Sequence, residues 1–368
     1  FRMSASTAFA LDLLRAASSH TENFVISPFS LGAALAIVHD GAKEDTKAEL
    51  TRLLGKELSA DEVSSLYSSL TAALTAENSA VTTSVANRFF LDKEFDLKSE
   101  YQAHVSKAYG AGVENIDFKD GAGSANHVNS FVSDSTRGMI PQLVSADAFA
   151  DAVAVLINAV YFKGEWATQF NKDSTQTKTF HGVNGDREVE FMCASKLNTR
   201  YSIGNDLTVV SLPYKDPAYS LVVLMPNADF GEWRASLTAE KLQEAMENLG
   251  SGKINLELPK FKIESTTDGK DALKKCGVNR IFEDTANLSG ISNKDLVVSK
   301  IVHKAVIEVS ETGTKAYAGT AIMIEYQCMK IERPIPLIRF DKPFMYALVL
   351  TDAHGVYMAS LFIGVKVK

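Results

Sequence analysis

At 368 residues, with 46% hydrophobic and 23% charged side chains, the chain carries ample apolar material for a large core and is not composed like a disordered segment. A net charge of −7 and a pI near 5.6, without clustered Lys and Arg, argue against nucleic acid or anionic membrane as a main partner. Three scattered cysteines, Cys193, Cys276 and Cys328, argue against a disulfide framework or a CxxC zinc site and fit a reducing, cytoplasmic setting.

The length alone allows two domains, but no internal repeat or long linker divides the chain. Ser4 to Ala17 reads as an amphipathic helix, because Phe9, Leu13 and Leu14 interleave with Asp12 and Arg15. A signal peptide would have an unbroken apolar core there. Met3 then reads as the natural start and Phe1-Arg2 as a cloning remnant; a secreted precursor trimmed before Phe1 is the alternative. The one N-x-S/T sequon, Asn287-Leu288-Ser289, is what chance supplies.

Ser27 followed by Pro28 opens a helix over Pro28 to Val38, a capping residue ahead of a proline tolerated in a first turn. Helical patterns continue at Lys43 to Leu54 and Ala60 to Leu74. From Val85 the character changes. Ala86-Asn87-Arg88-Phe89-Phe90-Leu91 reads as a strand, and His127 to Leu143 as a helix ending at Gly138 and Pro141. Gly110-Ala111-Gly112 and Gly121-Ala122-Gly123 are too short for phosphate loops and read as turns.

Ala152 to Phe162 is apolar on both faces apart from Asn158, the pattern of a central strand. Strands follow at Leu207 to Leu212, Tyr219 to Met225, Lys253 to Ile263 and Leu296 to Ser310. Phe344 to Leu350 and Val356 to Val367 close the chain as a buried hairpin. Helices early and strands late predict an α+β fold. On the apolar side of the strand at Leu296 to Ser310, His303 lies with Ile301, Ala305 and Ile307, where a satisfied core histidine is commoner than a ligand or base.

Between Ser310 and Phe344 lie about thirty residues with no evident element, and loops that long are usually functional or disordered. They open with Glu311-Thr312-Gly313-Thr314-Lys315-Ala316-Tyr317-Ala318-Gly319-Thr320-Ala321. By composition this run is a flexible connector. Read with period two it is also a strand, with Thr314, Ala316, Ala318, Thr320 and Ile322 on a small face and Lys315, Tyr317, Gly319 and Ala321 opposite.

Several stretches in fixed order resemble one family, the serpins, from about Ala5 to Val367. Asn23-Phe24-Val25-Ile26-Ser27-Pro28-Phe29-Ser30, with Ala33 to Ala36 and Gly41-Ala42, is similar to the family's N-terminal signature. The others are Leu156 to Trp166, Leu212-Pro213-Tyr214, Leu258-Pro259-Lys260-Phe261, Leu288 to Ser292 and Phe340-Asp341-Lys342-Pro343-Phe344. The resemblance implies one α+β domain over the whole chain, with three β-sheets, eight or nine helices and an exposed reactive-centre loop at about Gly313 to Ile338. It also implies a suicide-substrate inhibitor of proteases, acting as a monomer without cofactor, metal or catalytic residues of its own. The attacking enzyme forms an acyl link, and the cut loop inserts as a new strand of the central sheet.

In that reading the run after Glu311 is the hinge, with Gly313, Thr314, Ala316, Ala318, Gly319 and Thr320 its small residues. About fifteen inserted residues would give a strand of roughly 50 Å and on the order of 10 kcal/mol from net hydrogen bonds. That is enough to distort the captured enzyme, where one lost oxyanion-hole donor costs roughly 10²–10³ in rate. Two residues depart from the usual hinge: Lys315 replaces an acid and Tyr317 an alanine, both on the other face.

Counting seventeen residues from Glu311, as inhibitory members do, puts the scissile bond at Gln327-Cys328. Tyr326 before it suits papain-like cysteine proteases, cleavage after Tyr326 itself would suit a chymotrypsin-like serine protease, and Met329 and Lys330 are further candidates. The resemblance assigns Ser27, Ser30, Asn158 and His303 to a hydrogen-bonded shutter, and Glu311 and Lys260, with Trp166 beneath, to a breach at the top of the opening sheet. In the stretch from Lys56 to Leu74 Lys56 is the only basic residue, which argues against heparin activation through that face. The competing functions are a non-inhibitory serpin, favoured by Tyr317, and a cysteine hydrolase using Cys328 and His303.

Overall fold

The structure is a computed structural model and describes residues 2–75, 81–110, 112–311, 334–351 and 357–368. Its first half holds α1 (Arg2–Ala17), β1 (Phe24–Ile26), α2 (Pro28–Gly41), α3 (Glu44–Gly55), α4 (Ala60–Thr75), β2 (Val81–Asp92), α5 (Ser99–Tyr109), β3 (Gly112–Ile116), α6 (Gly121–Ser135) and β4 (Ala154–Gly164). The second half begins with β5 (Gln176–Gly182), β6 (Gly185–Ile203), β7 (Leu207–Pro213), β8 (Tyr219–Pro226), α7 (Phe230–Ser236) and α8 (Ala239–Glu247). It ends with β9 (Gly250–Pro259), β10 (Phe261–Asp268), α9 (Gly269–Lys275), β11 (Lys300–Val309), β12 (Leu337–Arg339), β13 (Phe344–Thr351) and β14 (Tyr357–Lys366).

Several boundaries follow from local chemistry that periodicity misjudges. The helix expected at His127 to Leu143 instead starts at Gly121, because the Asp120 side chain accepts from Gly123 N at 2.9 Å and caps it. Gly121-Ala122-Gly123 is therefore its first turn and not a separate one. It stops at Ser135 because Arg137 and Gly138 take left-handed backbone angles, φ 53° and 76°. The strand expected at Lys253 to Ile263 is two, β9 and β10, which break at Lys260 and belong to different sheets. Pro259 ends the first of them, and Lys260 N donates to Glu190 O as the chain turns away.

Five strands form one sheet in the order β10-β11-β4-β2-β3. The other strands join a nine-stranded network, β1-β14-β13-β8-β7-β6-β9-β12 with β5 beside β6. The second and third sheets implied by the resemblance are the two halves of this network, fused because the long β6 runs through both. Its register slips between Ala194 and Leu197, where Lys196 has φ 52°, so the strand bends from one half into the other.

Helix α2 is buried along almost its whole length between the two sheets, against β14, β2 and β4. On β4, Leu156, Val160 and Phe162 face this inter-sheet core, while Val155, Ile157, Ala159 and Tyr161 join a second core with Val128 and Val132 of α6. Strand β4 is thus covered on both faces, which is why its sequence is almost unbroken in apolar residues.

Candidate functional site

The seam between β4 and β11 is the centre of the candidate site. The two strands pair directly and in parallel, from Lys300 opposite Val155 to Ile307 opposite Phe162. β4 is antiparallel to β2 and β11 is antiparallel to β10. A parallel pair can admit a further strand antiparallel to both neighbours without reversing any existing strand; this sheet has two such pairs, β2-β3 at its edge and β4-β11 at its centre, and the central one carries the polar row described next.

A row of polar side chains crosses the seam at its lower half. The backbone register aligns Asn87 of β2, Asn158 of β4, His303 of β11 and Thr267 of β10. Asn158 and His303 are wholly buried, as are Ser27 and Ser30 at the start of α2. Ser27 N donates to His303 Nε2 at 3.1 Å, so Nε2 is unprotonated and the proton sits on Nδ1, which donates to Asn158 Oδ1. Asn158 Nδ2 in turn donates to Ser30 O at 3.0 Å, Ser30 Oγ at 2.6 Å and Asn87 Oδ1. The Ser27 hydroxyl caps α2 by accepting from Ser30 N at 3.2 Å and donates to Leu361 O of β14. Burial pushes the His303 imidazole down to about 3, so it is neutral in the folded protein.

All four residues assigned to a shutter from sequence therefore meet in one network. Asn87 is the member that sequence reasoning missed. It is the one uncharged polar residue in the strand Ala86 to Leu91, as Asn158 is in β4, and that shared oddity was the available signal.

The upper end of the seam holds Glu311, Lys260 and Trp166 together. Lys260 Nζ lies 3.1 Å from Glu311 Oε1 and 3.4 Å from Glu190, and Thr175 Oγ1 donates to Glu311 Oε1 at 2.7 Å. Glu311 is only 4% exposed. Burial works to raise its carboxyl, but the hydrogen bonds from Thr175, its own backbone and Lys260 outweigh that and hold it below its ordinary value. Trp166 is buried, stacks on Tyr214 at 4.4 Å and donates from Nε1 to Ser310 O at 2.7 Å. Phe170 N donates to Glu311 O at 3.0 Å, so side chains and backbone alike clamp the end of β11. Thr175 carried no sequence signal of this role, since it stands in a loop, and Tyr214 entered only within the Leu212-Pro213-Tyr214 stretch, with no role attached.

The hinge residues Gly313, Thr314, Ala316, Ala318, Gly319 and Thr320, and the bond at Gln327-Cys328, lie outside the described residues. The hydrolase reading fails at His303, whose two ring nitrogens are both committed to buried partners. No lone pair is left for a base.

What this geometry can do is part. An entering strand needs about 4.8 Å of new width, which severs the β4-β11 ladder and the His303-Asn158 bond but replaces one ladder with two. Partial opening strands buried polar groups at a cost of about 1–3 kcal/mol each, so closed and fully filled states are both favoured over anything between.

Comparisons with known proteins bear on this seam. A family model described as Serpin (serine protease inhibitor) matches residues 4–365. Leukocyte elastase inhibitor of Homo sapiens is 33% identical over 377 residues, covering 98% of this chain and 97% of its own. Serpin B6 of Macaca fascicularis is 31% identical over 370 residues, covering 97% and 98%. The crystal structure of Serpin48, described as a highly specific serpin in the insect Tenebrio molitor, is similar with a TM-score of 0.84 at 29% identity, covering 99% of this chain and 96% of that one.

Proposed function

The chain belongs to the serpin family, and from that membership we propose that it inhibits endopeptidases as a suicide substrate, by inserting its cut loop between β4 and β11. The direct parallel pairing of those two strands at the centre of the sheet carries this reading, because one further strand between them would give both β4 and β11 an antiparallel neighbour on each side. The small face Thr314, Ala316, Ala318 and Thr320 is what a strand entering between two packed layers requires. Tyr317 and Lys315 fall on the alternate face.

The bond assigned by count is Gln327-Cys328, and the target is a serine or papain-like cysteine protease. The name of the human relative makes an elastase-like enzyme the first to test. Such enzymes have a small specificity pocket, which would admit Cys328 in preference to Tyr326 or Gln327 and move the cut one residue along. The protein acts as a single-domain monomer, without cofactor and without turnover. Free Cys193 and Cys276 support a reducing compartment such as the cytoplasm.

Incubation with elastase-like, chymotrypsin-like and papain-like enzymes tests the proposal. The expected result is a covalent complex that survives denaturing electrophoresis and a released C-terminal peptide whose mass gives the bond. Thr314→Arg, which puts a long charged side chain on the entering face, should abolish the complex while leaving cleavage intact. Cleavage of the unaltered chain by every enzyme with no complex would overturn inhibition and favour the non-inhibitory reading.

A further inference from the structure

Two arginines from different helices meet beside a surface cavity with no acid between them. Arg15 stands in the last turn of α1 and Arg234 in the last turn of α7. Arg15 Nη2 donates to the carbonyls of Arg234 at 2.8 Å, Ala235 at 3.2 Å and Leu237. Arg234 Nη2 donates to Leu14 O at 3.0 Å, Ser18 O at 3.1 Å and Ser18 Oγ at 2.6 Å. Each guanidinium thus caps the C-terminus of the other's helix.

Arg15 Nε also donates to Arg234 O at 3.3 Å, so capping engages Nε and Nη2 of Arg15 and Nη2 of Arg234 and leaves the Nη1 group of each. Arg234 is 6% exposed, and its Nε is buried with no hydrogen-bond partner. Among the described residues neither arginine forms an ion pair. The nearby carboxylate, Asp229, is engaged in capping α7 through Glu232 N at 3.0 Å. Two full positive charges therefore face helix ends that each supply about half a negative one. Burial and the adjacent Arg15 charge both weaken the hold of the Arg234 guanidinium on its proton, the mark of a cation without a counter-ion.

The cavity at this pair has a volume of about 380 Å³ and is lined by Arg15, His20, Gly231, Arg234 and Ala235. Gly231 lies in the first turn of α7 without a positive φ, so no backbone angle requires glycine there. A Cβ at that position would come within 3.2 Å of Asp229 Oδ1, the cap of α7, and 3.6 Å of the His20 ring. The missing side chain leaves room for both the Asp229 cap and the cavity.

We propose that this cavity binds a tetrahedral oxyanion, phosphate or sulfate, free or as the terminal group of an ester, on the Nη1 groups of Arg15 and Arg234. Each Nη1 carries two N–H groups for such oxygens, and the two guanidinium groups supply the charge. His20 lines the same cavity and can add a ring N–H. An ion there ties α1 to α7 and stabilises the folded chain by linkage.

Thermal unfolding of the whole protein in inorganic phosphate, against sodium chloride at matched ionic strength, tests this. The expected result is a saturable rise in Tm of about 2 °C at ten times Kd, with a shift of the Arg234 Nε–Hε resonance in the nitrogen-15 spectrum over the same range. Glucose 6-phosphate as a second arm separates the sources: equal affinity points to the free ion and tighter binding to an ester. Arg234→Met should lose both responses. Because that variant also loses a helix cap, Gly231→Leu serves beside it, filling the cavity while both arginines remain, and it too should lose them. A phosphate response no larger than that of chloride, or one that survives Gly231→Leu, would overturn the site.

Discussion

His303 holds its two ring nitrogens in opposite roles, accepting from Ser27 N at Nε2 and donating to Asn158 Oδ1 from Nδ1, and only the neutral ring can do both. The consequence is a pH dependence of known sign. Burial depresses this imidazole from 6.5 to about 3, so the unfolded chain binds the proton more readily than the folded one. The stability His303 contributes is fully present above about pH 6.5 and drains away as pH falls towards 3. Between about pH 7.5 and about pH 5 the loss should be about 2 kcal/mol. Glutamine at this position can still accept at its oxygen and donate at its nitrogen but does not titrate. His303→Gln should therefore show a smaller fall in urea midpoint between those two pH values than the unaltered protein. Equal falls would mean that His303 does not carry the acid sensitivity. The Lys260-Glu311 pair is a weaker lever, since Lys260 is 30% exposed and a pair so wetted contributes about 0–1 kcal/mol.

At the scale of elements, the seam closes with a parallel ladder, slightly weaker per residue than an antiparallel one, and is pinned by a buried polar row below and by Trp166 and Glu311 above. A free peptide with the sequence of residues 314–327 should compete for the same opening. Incubated with the intact protein, it should raise amide protection across 155–162 and 300–307 in hydrogen exchange and abolish complex formation with the target protease. A scrambled peptide should do neither, and protection unchanged by the matching peptide would mean that the seam does not open. Much of this architecture was legible beforehand. β4 declared itself through an apolar run broken once by Asn158, and α2 through Ser27-Pro28, because burial on both faces and helix capping each write a local pattern. Strands β5 and β6 were not legible, since most of their side chains are exposed or only half-buried and so show little alternation. Helix α5 was missed for a related reason, as it buries only Tyr101, Val105 and Tyr109. The assembly of His303 with Ser27, Ser30 and Asn158 came from resemblance to a family. Its hydrogen bonds depend on strand register, which no single segment encodes.

Across the whole molecule, the five-stranded sheet places the folded chain short of its deepest minimum. Filling the seam exchanges one parallel ladder for two antiparallel ones, so the filled state gains roughly one ladder, on the order of 10 kcal/mol at about 1 kcal/mol per net bond. What keeps the closed state populated is then the barrier: the row at His303 and the clamp at Glu311 must break before any bond of the new strand forms. Cutting the loop near Gln327-Cys328 with a protease that is not captured removes the tether that restrains the hinge. For a chain of this length an added 10 kcal/mol raises Tm by on the order of 10 °C. The cleaved protein should therefore unfold well above the intact one, although a peptide bond has been lost. Thr314→Arg cleaved at the same bond should stay at the intact value, because its entering face no longer fits between β4 and β11. If the cleaved, unaltered chain melted no higher than the intact chain, the sheet would not be accepting the loop, and the parallel pairing of β4 with β11 would be the protein's final state.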